Sequence, residues 1–170
     1  MPHISDRAIV LAACLVLTAC AEQAAPPPAP PIAMTGRERA ASEVHVDPAA
    51  AALMISKYRQ AHGLSAVRPD PTLQKLAQAQ ADTMAAHNIL SHDIDGTLTR
   101  RFDAAHLAQD AAVENVSAGY FSLPAVLAGW RKSPPHNANL LSPAMRHLGI
   151  ATAYAPGTRY KVYWALDMSN

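Results

Sequence analysis

The proline-rich segment from Pro26 to Pro31 divides the chain into two parts that can adopt different structures. Five of its six positions are proline. Because proline lacks a backbone N–H and has a fixed φ, such a run excludes a helix or an internal strand and favours an extended polyproline spacer. The segment predicts a tether over residues 20–45 and confines the folded domain to residues 46–170.

An apolar segment precedes the tether. Arg7 is followed by eleven uncharged, largely apolar residues from Ala8 to Thr18. This run is too short to span a bilayer as a helix and is typical of a secretory signal peptide, which we predict over residues 1–19. Its end, Leu17-Thr18-Ala19-Cys20, resembles a bacterial lipobox, which implies that Cys20 carries acyl chains such as palmitate and anchors the protein to a membrane.

The residue after Cys20 bears on location. Ala21 is not the aspartate that often retains bacterial lipoproteins at the inner membrane, so the lipobox interpretation predicts the outer membrane in the cell envelope. Ala19-Cys20-Ala21 also fits an ordinary small-x-small cleavage site. That alternative predicts a periplasmic or secreted soluble protein.

Composition narrows the class of domain. A chain of 170 residues with a formal net charge of +1 suits one globular domain and offers no clustered basic face for nucleic acid. The chain has two cysteines, Cys14 and Cys20, and both fall in or at the end of the signal segment. We therefore expect a domain without disulfides and without a cysteine nucleophile.

Helix signals come first in the domain and strand signals follow. Asp47-Pro48 and Asp70-Pro71 each combine an N-cap with a proline at the first helical position. They predict helices that end near Gly63 and near His87-Asn88, and shorter helices follow at 98–105 and 122–130. Alternating residues at 147–154 and 160–166 predict an antiparallel hairpin, with a third strand at 112–118. This order indicates an α+β layered domain.

Three polar residues stand on separate, non-periodic segments beside apolar elements. His92, Glu114 and His136 follow each other at intervals of 22 residues. Such side chains are costly to bury alone, so their placement predicts one polar cleft.

The same segments carry a family resemblance. Leu90-Ser91-His92, Arg101, Glu114-Asn115, Trp130 and the stretch from Ser133 to Leu141 occur in the order found in the CAP (SCP) superfamily, bacterial branch. The resemblance implies an α-β-α sandwich, with a small central antiparallel sheet between helical layers. It also implies that His92, Glu114 and His136 line the family's cleft, with Ser133 in place of a second acid.

Metal binding is the first hypothesis for this cleft. His92, Glu114 and His136 are suitable ligands for a divalent ion such as zinc. No short motif such as HExxH brings them together, so the ligand set depends on the resemblance. The alternative is a self-satisfied His-Glu-His hydrogen-bond network that anchors the loops.

Hydrolysis and ligand binding are the other hypotheses. Ser91 or Ser133 could act as a nucleophile in a peptidase-like hydrolase, but neither lies in a GxSxG elbow, and no catalytic residue is assigned. A binding module for a lipid, sterol, peptide or envelope polymer would need an apolar groove. The residues available for such a groove are Ile89, Leu90, Tyr120 and Phe121, for which we expect core packing instead.

The sequence thus predicts an exported, membrane-tethered domain with a His/Glu/His cleft. We interpret it as a ligand- or metal-binding module of the envelope, with a metal-assisted hydrolase as the alternative. Two tryptophans, Trp130 and Trp164, are expected in the core or in the wall of the cleft, with partners for their indole N–H groups. Arg101 is expected to be structural.

Overall fold

The computed structural model describes residues 34–107 and 111–170, so the predicted signal peptide, Cys20 and the proline-rich segment lie outside the described residues. The described residues form six helices and four strands. None of these helices has the length and apolar character needed to cross a membrane. In chain order the elements are α1 (Gly36–Ser42), α2 (Pro48–Gln60), β1 (Arg68–Pro69), α3 (Pro71–His87), α4 (Leu98–Ala104), β2 (Ala112–Ala118), α5 (Leu123–Lys132), α6 (Pro134–Leu140), β3 (His147–Tyr154) and β4 (Val162–Ser169).

The two aspartate-proline signals start helices as predicted. The Asp47 carboxylate accepts from the backbone N–H of Ala49 at the start of α2, and Asp70 accepts from Thr72 and Leu73 at the start of α3. The predicted end of α2 at Gly63 was slightly wrong, because Ala61 is the C-cap. Gly63 follows it with a φ of +73°, a left-handed conformation that suits glycine in the turn.

The sheet has the strand order β1-β3-β4-β2. Strand β4 pairs antiparallel with both β3 and β2, which confirms the hairpin and the third strand. Strand β1 pairs parallel with β3, so the sheet is mixed where the sequence predicted an antiparallel one. Two residues, Arg68 and Pro69, carry no periodic signal, and their pairing depends on contacts distant in sequence.

Helices cover both faces of this sheet, as the predicted sandwich requires. On one face, α3 packs through Ala77, Ala81 and Met84. On the opposite face, the core includes Ile55 of α2 and Trp130 of α5. The fold class predicted from the sequence, α+β with a sheet between helical layers, is confirmed.

Both tryptophans lie in the core with partners for their indole N–H groups, as expected. Trp130 Nε1 donates to Ser117 Oγ over 2.7 Å. Trp164 Nε1 donates to the Tyr120 carbonyl over 2.9 Å.

Side chains from α3 cover the edge of β3 beyond the short β1. Gln74 forms two hydrogen bonds with the backbone of Ile150, donating over 2.8 Å and accepting over 3.0 Å. Gln78 Nε2 donates to the Thr152 carbonyl over 3.3 Å. These amide groups take the place of a neighbouring strand and fix α3 against the sheet.

Helix α1 lies within the range that the sequence assigned to the tether. Its Ala41 is fully buried in the core. Glu38 pairs with Lys161 at 2.6 Å and accepts from the Gly157 N–H at 3.3 Å. Residues 36–42 are therefore folded onto the domain, and ordered packing begins before the predicted boundary at residue 46.

Candidate functional site

The site is centred on Glu114, which β2 places at an edge of the sheet. Glu114 stands opposite Asp167 of β4 in the strand register. Its side chain is only 2% exposed. Because residues of one strand alternate between faces, Glu114 shares a face with Val116, which packs in the cluster beneath α3.

Both carboxylate oxygens of Glu114 have partners. His92 Nδ1 is hydrogen-bonded to Oε2 over 2.6 Å, while the His92 side chain remains 53% exposed. Arg101 donates to Oε1 through a short contact. The structure therefore brings His92 and Glu114 together as predicted, and it adds Arg101 as a direct partner of the buried carboxylate.

Buried side chains of α3 and α4 hold the loop that carries His92 through its backbone carbonyls. Arg101 donates to the carbonyls of His92 over 2.6 Å and of Gly96 over 2.8 Å. Gln80 of α3, which is 1% exposed, donates to the Ser91 carbonyl over 2.7 Å. Sequence analysis overlooked Gln80, although a polar residue among the apolar positions of α3 was a detectable signal.

Asp167 is a second carboxyl group that sequence analysis missed. It is fully buried, and within the described residues no donor reaches either of its oxygens. Burial, and then the charge of Glu114, raise the pKa of Asp167 well above its ordinary value. Burial also raises the pKa of Glu114 to about 7, against an opposing effect of Arg101. We infer that burial keeps this facing pair of carboxyl groups partly protonated near neutral pH.

His136 lies on α6, which is hydrogen-bonded to β2 next to Glu114. Asn115 of β2 donates to the His136 carbonyl over 3.0 Å. Asn139 of α6 donates to the Glu114 carbonyl and to Asn115 Oδ1, each over 2.8 Å. Burial, and then the charge of His92, lower the pKa of His136. The charge of His92 thus acts on His136, but among the described residues no hydrogen bond joins the His136 ring to His92 or Glu114.

The serines occupy different positions. Ser133 is the N-cap residue of α6, but its hydroxyl accepts no capping hydrogen bond. Ser91 Oγ accepts from the Asp93 N–H over 3.1 Å, which is a turn contact. In the part of the chain that the structure describes, neither hydroxyl is hydrogen-bonded to an imidazole.

The contacts of Glu114 oppose zinc binding by all three predicted ligands together. Among residues 34–107 and 111–170, no group of three or more His, Cys, Asp or Glu side chains is arranged to hold a metal ion. Glu114 uses both oxygens on Arg101 and His92. Binding of zinc by His92, Glu114 and His136 together would require at least one of these contacts to open.

Apolar residues lie on the loop before His92. Ile89 is 50% exposed and Leu90 is 46% exposed, so the expectation that they pack in the core was wrong. Tyr120 and Phe121 do pack against the core, as expected. The loop between the end of α3 and His92 therefore presents apolar side chains to solvent.

The profile of the cysteine-rich secretory protein (CAP) family matches residues 53–168. The chain belongs to this family, which confirms the resemblance found in the sequence. The uncharacterized membrane protein YlbC of Bacillus subtilis is 31% identical over 94 residues, which cover 54% of this chain and 27% of that protein. The uncharacterized protein YkwD of the same organism is 30% identical over 95 residues, which cover 54% of this chain and 37% of that protein. The chain thus spans well under half the length of these two relatives.

Two solved structures have a similar fold. An extracellular protein containing an SCP domain from Bacillus anthracis superposes with a TM-score of 0.62 at 25% identity, over 71% of this chain and 39% of that chain. An outer surface protein from Borrelia burgdorferi superposes with a TM-score of 0.65 at 18% identity, over 74% of this chain and 96% of that chain. The second similarity is one of fold alone.

Proposed function

We propose that this protein is an exported binding module of the bacterial envelope whose cleft holds its ligand at His92 and His136. One observation carries the proposal: His92 is half exposed, yet its Nδ1 atom is fixed to the buried carboxylate of Glu114 over 2.6 Å. Since Nδ1 is occupied, Nε2 is the ring nitrogen left for a ligand. A binding group whose orientation is fixed beforehand loses little entropy when the ligand arrives.

Export and anchoring are part of the same proposal. The apolar run and Cys20 support a lipoprotein signal, and the similar proteins include one named as extracellular and one named as a membrane protein. A Cys20→Ala variant should move from the membrane fraction to the soluble fraction and should no longer incorporate labelled palmitate. Retention of the variant in the membrane fraction would contradict anchoring at Cys20.

Zinc is one ligand that this cleft could take. In that case two imidazoles would coordinate the ion, without the Glu114 carboxylate. His92 Nε2 and the His136 imidazole are suitable donors, whereas Glu114 is placed to orient His92 from behind. Zinc bound by two imidazoles would need water or a bound molecule in its remaining positions, and it would supply Lewis-acid chemistry there.

Calorimetric titration of the purified protein with zinc tests this ligand. We expect saturable one-to-one binding that is lost in a His92→Ala, His136→Ala double variant. The matched control is a His87→Ala, His106→Ala double variant, which changes two exposed histidines outside the cleft. Equal zinc binding by both double variants, or none by the folded wild type, would remove zinc from the proposal.

Binding of organic ligands tests the wider proposal. The wild type and the two double variants are compared for sedimentation with isolated peptidoglycan sacculi, with phospholipid vesicles and with vesicles containing sterol. Binding to one probe that requires His92 and His136 supports a binding module. A folded wild type that binds neither zinc nor any probe in a manner dependent on these histidines would overturn it.

Hydrolysis is the second candidate because one specific observation favours it. A carboxylate that fixes Nδ1 of a half-exposed imidazole is the arrangement of an oriented general base. Such a base could activate water without a serine. Release of peptides from casein by the wild type, and its loss in His92→Ala, would favour the hydrolase.

A further inference from the structure

A concave site lies between the last turns of α3 and the turn that joins β3 to β4. Its volume is about 470 Å³. Four alanines, residues 85, 86, 153 and 155, form much of its apolar lining, and Asp82 and Asn88 supply polar groups. His92, Glu114 and His136 do not line it. The function proposed above does not use this cavity.

Asp82 is held in position by a neighbour on the same helix. Gln78 Nε2 donates to Asp82 Oδ1 over 2.9 Å. The same amide group also donates to the Thr152 carbonyl of β3 over 3.3 Å, which fixes Gln78 itself. The Oδ2 atom of Asp82 accepts no hydrogen bond from the described residues. One carboxylate oxygen is thus left for a ligand.

Asn88 is also fixed from outside the cavity. It caps α3 in the left-handed conformation, with a φ of 53°. Its Oδ1 accepts from the hydroxyl of Tyr163 over 2.7 Å. Burial raises the pKa of Tyr163, so the phenol remains protonated and continues to donate. The carbonyl of the Asn88 amide is therefore occupied, and its Nδ2 group remains to donate to a ligand.

The charges at this site favour a cation. Asp82 is the only charged side chain among the described residues that line the cavity. The cavity also lies at the carbonyl end of α3, a helix of 17 residues whose aligned peptide dipoles leave partial negative charge there. A carboxylate and a helix C-terminus act in the same direction.

We propose that this cavity binds a small organic amine that also carries an oxygen acceptor. The ammonium group pairs with Asp82, the oxygen accepts from Asn88 Nδ2, and the carbon skeleton lies against the alanine lining. Because both polar side chains are already held by Gln78 and Tyr163, little side-chain entropy is lost on binding. Amino sugars and amino-acid derivatives have this combination of groups.

Glucosamine is the probe, and the neutral N-acetylglucosamine is its matched comparison. We expect titration of the ¹⁵N-labelled purified protein with glucosamine to shift the amide signals of residues 85–88, 153–155, 157 and 158 saturably. N-acetylglucosamine, which has the same ring and hydroxyl groups without the positive charge, should bind at least about tenfold more weakly, since a charge-assisted hydrogen bond is lost.

Two variants of cavity residues and one control variant test where glucosamine binds. Asp82→Asn keeps the shape and the contact with Gln78 but removes the charge, and we expect glucosamine affinity to fall by about tenfold. Asp103→Asn, at an exposed aspartate of α4 outside the cavity, is the matched control and should bind as the wild type does. Ala86→Trp, at an exposed position of α3, should fill the cavity and abolish the shifts.

Three results would overturn the proposal. These are the absence of saturable shifts at the cavity amides in the wild type, equal affinity for the charged and neutral sugars, and unchanged affinity in Asp82→Asn. The Asp82→Asn substitution is at an exposed helical position, so its fold is expected to survive, and the amide spectrum reports this directly.

Discussion

Arg101 contacts both Glu114 and the loop that carries His92, since one of its terminal nitrogens pairs with Glu114 and the other donates to the carbonyls of His92 and Gly96. Its charge also lowers the pKa values of both Glu114 and Asp167 against the effect of burial. The guanidinium of Arg101 therefore compensates negative charge in the interior and also fixes the loop that presents His92.

Replacement of Arg101 by leucine should destabilise the protein more at high pH than at low pH. Without the cation, ionised Glu114 has no buried counter-charge, so we expect the free energy of unfolding to fall by about 2–4 kcal/mol near pH 8 and by less near pH 5. Urea unfolding at the two pH values measures this. Arg100→Leu, at the exposed neighbour on α4, should show a much smaller effect. Equal losses at both pH values would contradict the electrostatic role.

The residues of the cleft differ in how far they could be predicted. His92, Glu114 and His136 could be predicted because the segments that carry them follow the order found in the CAP superfamily. Asp167 could not, because it follows the predicted strand at Leu166 without a local motif, and its partner Glu114 is 53 positions earlier (167 − 114 = 53). Only the pairing of β2 with β4 brings the two carboxyl groups together.

At the scale of elements, the contact between α3 and the sheet depends on a glycine. A Cβ atom at Gly149 would lie 2.1 Å from the Leu73 carbonyl carbon and 2.3 Å from the Gln74 nitrogen, both of them backbone atoms of α3. A helix backbone cannot yield as a flexible side chain does. The close approach of α3 to β3 also lets Gln74 reach Ile150.

A Gly149→Ala substitution should therefore separate α3 from the sheet. We expect a loss of at least about 3 kcal/mol in the free energy of unfolding, or failure to fold, since overpacking against rigid backbone is costly. Thermal unfolding followed by circular dichroism measures it. Gly36→Ala has open space around its Cβ and should be neutral or slightly stabilising. A stable Gly149→Ala protein would show that α3 can shift without cost.

The helices could be predicted because their signals are local. Asp47-Pro48 and Asp70-Pro71 each place a side-chain acceptor and a proline within one turn of the helix that they start. Strand β1 and helix α1 have no comparable local signal. Strand β1 is two residues long and depends on β3, and α1 is short and is held by Glu38 and Ala41 against distant parts of the chain.

The attachment of α1 can be tested through Glu38. Glu38→Gln keeps the acceptor for Gly157 but loses the charge that pairs with Lys161. We expect faster amide hydrogen exchange across residues 37–44 and unchanged exchange in α3. Glu43→Gln, at an exposed position, is the control. Unchanged exchange in α1 would show that Ala41 and its apolar contacts suffice.

At the scale of the whole molecule, the buried carboxyl pair gives stability a pH dependence of defined sign. The pKa of Glu114 rises from 4.5 to about 7 on folding, so the folded protein holds a proton that the unfolded chain releases in that window. This contribution is complete below about pH 4.5 and is lost as the pH rises through about 7. His136, whose pKa is lowered, acts in the opposite sense below its ordinary pKa of 6.5.

Comparison of the wild type with Asp167→Asn isolates the contribution of Asp167 to the pH dependence of stability, because His136 is present in both proteins. The variant cannot place a second negative charge beside Glu114, so between about pH 5 and pH 8 the wild type should lose about 2 kcal/mol more stability than the variant does. Urea unfolding across this range gives both profiles. Asp103→Asn, at an exposed site, should follow the wild type. Parallel profiles for the wild type and Asp167→Asn would show that Asp167 takes up no proton on folding.

Amide side chains from helices meet the backbone at both outer edges of the sheet. Gln74 and Gln78 bond to β3 beyond the end of β1, and Asn139 bonds to the outward carbonyl of Glu114 on β2. A strand from a second molecule would have to displace these amides before it could add to the sheet. At high local concentration, copies of this domain can therefore touch without joining their sheets into a continuous ribbon.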